Sequence, residues 1–196
     1  MNTLKKILFP LFSLFLCYRS IELMRNLILS EPNTYSNIEI LTISFLLTIF
    51  ITGVFAFIGF AYPSSNILSN RYYEIKNPKV LNYISKVLGI KYFRFLLLII
   101  FWGRTNNQKK YFNGTKMGLK NFIFQTKQSE FGHFAAFIVI LISSIILLLY
   151  EYLFLVIIIT LINILGNVYP IILQRTHRMR VEKLIKYYRV NGFAHS

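Results

Sequence analysis

Aspartate is absent from this chain of 196 residues, and glutamate supplies all seven of its acidic side chains. Against them stand 22 lysines and arginines, which leaves a formal charge of +15. Cysteine occurs once, at Cys17, so no internal disulfide can form and the redox compartment stays open. The lone cysteine and the three histidines (His133, His177 and His195) show no metal-ligand spacing, so no metal site is expected. Internal repeats, low-complexity tracts and phosphate-cradling glycine loops are also missing.

What the chain has is apolar surface. Hydrophobic residues make up 55% of it, and its mean hydropathy is +0.53. A soluble domain of this size needs more polar surface. A charge this positive would suggest nucleic acid in a soluble protein. Here the basic residues flank apolar runs, so no nucleic-acid partner is expected and anionic lipid headgroups are. The fold class implied is all-α: a single polytopic membrane domain spanning 1–196.

Four apolar blocks approach the roughly 20 residues that a membrane helix needs. They lie at about 7–29, 38–62, 133–150 and 152–174. The first is the weakest, because Arg19, Glu22 and Arg25 interrupt its second half at steps of three, where they can pair along one face. A signal peptide is its rival reading, but no small-x-small cleavage site follows. Glu151 divides the last two blocks, which would otherwise run too long for one crossing. Between the second and third blocks, the segment 63–132 carries twelve bases against only Glu74 and Glu130. The tail 175–196 is also basic. The positive-inside rule places both segments, and the N-terminus with Lys5 and Lys6, in the cytoplasm. The expected location is the cell membrane, crossed four times.

Within 63–132, "NPKVLNYISKVLG" offers Asn77 as an N-cap, Pro78 at the first helical position and Gly89 as a stop. Val80, Leu81, Ile84, Val87 and Leu88 share one face, as in an amphipathic helix lying on a membrane. "YFRFLLLIIFW" follows, too short to span and too apolar to be wet. "GRTNNQKKYFNG" reads as a polar loop.

Glu130 and His133 stand three residues apart on an expected helix, so they share a face. A carboxylate that accepts one ring N–H leaves the other nitrogen basic, the minimum for activating an alcohol as nucleophile. The competing reading is an interfacial ion pair that fixes helix depth. Asn163, Asn167, Gln174 and Arg178 fall within roughly 60° of one another on a regular helix. They can line a site, or hydrogen-bond neighbouring helices and hold a bundle together. Arg175, Arg178 and Arg180 can bind phosphate or snorkel to lipid headgroups.

These residues carry a resemblance. "NVYPIILQRTHRMRVEKLIKYYRVNG" resembles the C-terminal signature of the glycosyl-4,4'-diaponeurosporenoate acyltransferase family. That signature is an Asn, a Pro shortly after it, then Gln-Arg-x-x-Arg-x-Arg, matched by Asn167, Pro170, Gln174, Arg175, Arg178 and Arg180. "TKQSEFGHF" is similar to the family's Thr-Lys-x-x-Glu-x-x-His, matched by Thr126, Lys127, Glu130 and His133. The likeness covers about 71–195. It departs at His177, where the family pattern has Asn, and at the apolar "LLLIIFWG". The resemblance implies esterification of a hydroxyl on a glycosylated carotenoid, or a related isoprenoid or glycolipid, with a fatty acyl group. It implies His133 as general base oriented by Glu130, and Asn167 and Gln174 as substrate contacts. Arg175, Arg178 and Arg180 would hold the phosphates of the donor. No cofactor is implied beyond acyl-CoA or a similar thioester as substrate. The alternative is a non-catalytic membrane scaffold or lipid-binding protein. The sequence leaves the oligomeric state open.

Overall fold

The computed structural model describes the backbone of residues 3–102 and 116–190. The expected polar loop at 103–114 and the last six residues lie outside the described residues. Among the described residues every regular element is helical. In chain order these are α1 (Thr3–Leu29), α2 (Asn37–Ala61), α3 (Asn70–Tyr73), α4 (Pro78–Val87), α5 (Ile90–Leu97), α6 (Lys116–Leu149), α7 (Leu153–Asn163) and α8 (Tyr169–Val190). A 3₁₀ turn at Pro32–Thr34 precedes α2, while π turns at Leu98–Trp102 and Ile164–Val168 follow α5 and α7. Four stretches are long and apolar enough to cross a membrane: Leu4–Leu29, Asn37–Ala61, Gly118–Leu149 and Leu153–Tyr187. The all-α membrane architecture expected from hydropathy is therefore the one observed.

The chain groups into two compact units, residues 1–64 with 131–170 and residues 65–130 with 171–196. In the first, α1 packs along α2 and α2 along α7. A Cβ at Gly53 would sit 2.6 Å from Leu16 Cδ1, so a small residue there lets α1 and α2 approach closely. Ser13 Oγ donates to the Val54 carbonyl at 3.0 Å across the same contact. The core is built from Leu27, Leu47, Ile51, Ala136, Ile140 and Ile159, among others. Large apolar side chains such as Leu14, Phe45, Ile142 and Leu161 are exposed, as expected of a surface solvated by lipid. Because lipid is as apolar as leucine, close packing and interhelical hydrogen bonds must hold this unit together rather than exclusion from water. Tyr152 supplies such a bond, its single O–H facing both the Leu27 carbonyl at 2.8 Å and that of Ser30 at 2.9 Å.

Local sequence sets several boundaries. Ser36 and Glu39 form a capping box that starts α2, with Ser36 N–H donating to Glu39 Oε2 at 2.8 Å. Glu151 takes φ 64° in the tight turn after α6, the break expected there. In the second unit, Asn77 caps α4 by accepting the Val80 N–H at 3.2 Å, and Pro78 opens the helix. Gly89 stops it with φ 62°, a left-handed conformation suited to glycine, and α5 begins at once. Val80, Ile84 and Val87 on α4 are exposed, consistent with the expected amphipathic face.

Two boundaries differ from expectation. α6 begins at Lys116 and runs through the charged stretch before 133, because nothing in "KMGLKNFIFQTKQSEFG" stops a helix. Glu130 and His133 therefore both lie within this helix, as their spacing requires. Helical structure after Leu153 likewise continues past 174 to Val190, interrupted only by the π turn.

Candidate functional site

In the first unit, polar side chains meet inside an otherwise apolar bundle. Asn163 ends α7, and Asn167 lies in the π turn that follows, fully buried. Such turns insert about one extra residue into a helix and recur at functional sites. Pro170 in the first turn of α8 cannot donate a backbone hydrogen bond, which relaxes the ladder beside it.

The hydrogen bonds here fix each group's role in sequence. The Phe137 carbonyl can only accept, so Asn163 Nδ2 is the donor across their 3.2 Å contact. Asn163 Oδ1 must then accept, and it takes Asn167 Nδ2 at 2.9 Å. Asn167 Nδ2 also donates to Thr52 Oγ1 at 3.2 Å. Asn167 Oδ1 is thus an acceptor, and it faces His133 Nδ1 at 3.0 Å. Nδ1 must carry the proton, which leaves Nε2 of a neutral ring with a basic lone pair. The Gly166 carbonyl also faces the ring.

The second unit holds a charged cluster. Glu130 is fully buried on α6 and accepts two guanidinium bonds. Arg175 Nε reaches its Oε1 at 2.7 Å, and Arg178 Nη2 reaches its Oε2 at 2.6 Å. Arg178 is itself fully buried, whereas the Arg175 side chain is 31% exposed. Tyr72 lies under the Arg175 guanidinium at 5.0 Å and Tyr73 under that of Arg178 at 5.5 Å. Burial, reinforced by the Glu130 carboxylate, pushes the Tyr73 phenol up to about 12, so it remains a neutral donor. Arg178 Nε and Nη1 and the Tyr73 hydroxyl are buried without a hydrogen-bond partner among the described residues.

These contacts give the expected site residues the following partners. His133 is oriented by the Asn167 amide, and both carboxylate oxygens of Glu130 are given to arginines. A buried carboxylate is neutralised far better by a guanidinium than by a neutral imidazole N–H. Asn167, expected to touch substrate, gives its N–H groups to Thr52 and Asn163 and its Oδ1 to His133. Arg175 and Arg178 are not free clamps for an outside anion, since Glu130 takes one N–H from each. Gln174 is half-buried on α8 with no hydrogen-bond partner among the described residues. Arg180 belongs to a different feature, a concavity of about 230 Å³ that it lines with Lys86, Lys91, Arg94 and His177. Sequence reasoning missed Thr52, whose only signal is a hydroxyl in a nearly apolar helix.

A third feature belongs to the first unit. An open groove of about 710 Å³ runs along α1, α2 and α6. It is lined mainly by apolar side chains, including Met24, Ile51, Phe55 and Val139, with Arg25 also on its wall.

Comparison with known protein families finds a match. The family model for glycosyl-4,4'-diaponeurosporenoate acyltransferase matches residues 69–187, more than half of the chain. No curated protein and no solved structure matches.

Proposed function

Because the chain belongs to the glycosyl-4,4'-diaponeurosporenoate acyltransferase family, we propose that it moves a fatty acyl group from acyl-CoA, or a similar thioester, to a hydroxyl of a glycosylated isoprenoid in the membrane. The observation that carries this reading is the amide relay from Phe137 through Asn163 and Asn167, which leaves His133 Nε2 as a base. Nε2 takes the proton of the acceptor hydroxyl as its oxygen attacks the thioester carbonyl. The tetrahedral adduct collapses with cleavage of the C–S bond, and the departing thiolate regains the proton from Nε2. Asn167 acts as a positioning residue. Glu130 supports the fold by neutralising Arg175 and Arg178 rather than orienting the base.

The basic character of 63–132 and of the tail favours cytoplasmic placement of both termini in the cell membrane, against anionic headgroups. That side suits a soluble thioester donor. A reporter fused after Ser196 reads this orientation, and an exported signal would reverse it.

The groove along α1, α2 and α6 favours a second reading, a lipid-binding protein without catalysis. One substitution separates the two. Purified protein is supplied with acyl-CoA and a glycosylated carotenoid, and ester formation is followed. Loss of a positioned base lowers rates by about 10²–10⁴-fold, so His133→Gln abolishes most transfer while the protein stays inserted and monodisperse. Full transfer by His133→Gln would end the catalytic assignment.

A further inference from the structure

The concavity of the second unit gathers more positive charge than any contact in the fold uses. Lys86 comes from α4, Lys91 and Arg94 from α5, and Arg180 from α8. Among the described residues no carboxylate lines it. Among the described residues none of the four cations has an ion-pair partner. Glu130, the buried acid of this unit, is already occupied by Arg175 and Arg178. Glu74 and Glu182 line a separate depression with Lys127.

The local chain geometry builds this arrangement. Gly89 closes α4 with a left-handed turn, so Lys86 before it and Lys91 after it reach one hollow from two helices. A Cβ at Gly89 would meet the Tyr92 ring at 3.2 Å, in a backbone conformation that side chains disfavour. The Lys91 ammonium lies 4.6 Å from the Tyr92 ring centre. The Phe122 ring meets His177 edge-on at 5.9 Å, which steadies the imidazole on the wall. Buried Ile90 and Leu173 form the apolar part of the lining, while Ser85 and Asn82 add neutral polar groups.

Four cations converging without an acid repel one another unless an anion joins them. At about 230 Å³ the hollow falls below the usual range for whole drug-sized ligands and suits a phosphate-sized group. Arginine forks and lysine ammoniums are the side chains that bind phosphate. We propose that Lys86, Lys91, Arg94 and Arg180 form a phosphate-binding site, with His177 on its wall. Assigning that phosphate to the thioester donor rests on the acyl-transfer reading. The same chemistry would accept the phosphate of an anionic lipid headgroup.

The test uses purified full-length protein in neutral detergent, titrated with pyrophosphate and with coenzyme A. In parallel, the reconstituted protein is assayed for retention of phosphatidylglycerol over phosphatidylcholine. Each charge-assisted contact is worth about tenfold or more in affinity. Arg94→Ala and the exposed-site variant Lys91→Ala therefore each weaken binding about tenfold or more. Lys79→Ala, which removes a charge from α4 outside the hollow, leaves binding unchanged. Loss confined to pyrophosphate and coenzyme A supports the site and assigns it to a soluble donor. Loss confined to phosphatidylglycerol supports it and assigns a headgroup. Equal effects of Lys79→Ala and Arg94→Ala would reduce the site to diffuse charge and overturn it, as would unchanged binding in both arms. Acyl transfer is measured separately: a protein that binds coenzyme A through Arg94 yet transfers nothing keeps the phosphate site and loses the transferase reading.

Discussion

In the first unit the polar network is built of amides, a hydroxyl and an imidazole: buried Asn163 and Asn167 with half-buried Thr52 and His133. In the second it is a buried carboxylate with one buried and one partly exposed guanidinium. The neutral set satisfies itself donor by acceptor, ending on a backbone carbonyl that cannot change role. The charged set balances one negative charge against two positive ones and leaves Arg178 N–H groups unpaired among the described residues. Neutral hydrogen bonds between membrane helices are worth about 0.6 kcal/mol on average, and an uncompensated buried charge costs several. The neutral set therefore contributes direction more than stability. In the charged set the stakes are reversed, since removing one member strands the others.

The largest effect should come from breaking the charged set. Glu130→Ala leaves a fully buried guanidinium unneutralised, which typically costs about 3–5 kcal/mol. The melting temperature in detergent should fall sharply and membrane yield with it. A variant as stable as the parent would show that Arg178 finds another partner.

Breaking the neutral set should cost less stability and more function. Asn163→Ala removes the group that dictates the orientation of the Asn167 amide and exposes a buried donor, at about 1–3 kcal/mol. The protein should remain folded, with transfer falling because the amide can turn and present N–H to His133. Normal transfer together with lost stability would reduce the relay to a packing device.

The smallest effect sharpens the contrast at Tyr73. Its folded form keeps the phenolic proton to about 12, whereas the ordinary value is 10.0. Between those values the unfolded chain releases a proton that the folded chain retains, so stability is intact below pH 10 and falls as pH rises toward 12. Tyr73→Phe removes this loss. It also removes a buried hydroxyl without a partner among the described residues, so stability near pH 7 should hold or rise slightly. A steeper alkaline decline in Tyr73→Phe would contradict the assignment.

Local signals made the helices legible. Hydropathy located the four crossings, and Asn77, Pro78, Gly89 and Glu151 marked boundaries where they occur, because caps and breakers act within a few residues. Hydropathy set no start for the helix through 116–132, because polar, helix-compatible residues fill it before the apolar run begins. The stripe from Asn163 to Arg178 assumed unbroken α geometry, and a π turn intervenes at Ile164–Val168. The chemistry-bearing residues were visible as rare polar groups, but their partners were not. Glu130 pairs with residues 45 and 48 positions away, and Asn167 bonds Thr52 across 115. Those separations carry no local periodicity. Near neighbours on one helix, Glu130 and His133, therefore suggested a pairing that tertiary structure assigned elsewhere.

The relay also has a consequence for synthesis. Its anchor and its pivot, Asn163 and Asn167, follow Thr52 and His133 in the chain by more than a whole helix. When the first three crossings have left the ribosome, the histidine is present but nothing yet selects which nitrogen holds its proton. Only the last crossing, arriving with the π turn, supplies that selection. On the acyl-transfer reading proposed above, a nascent chain arrested before Asn163 would be membrane-embedded yet would lack an oriented base.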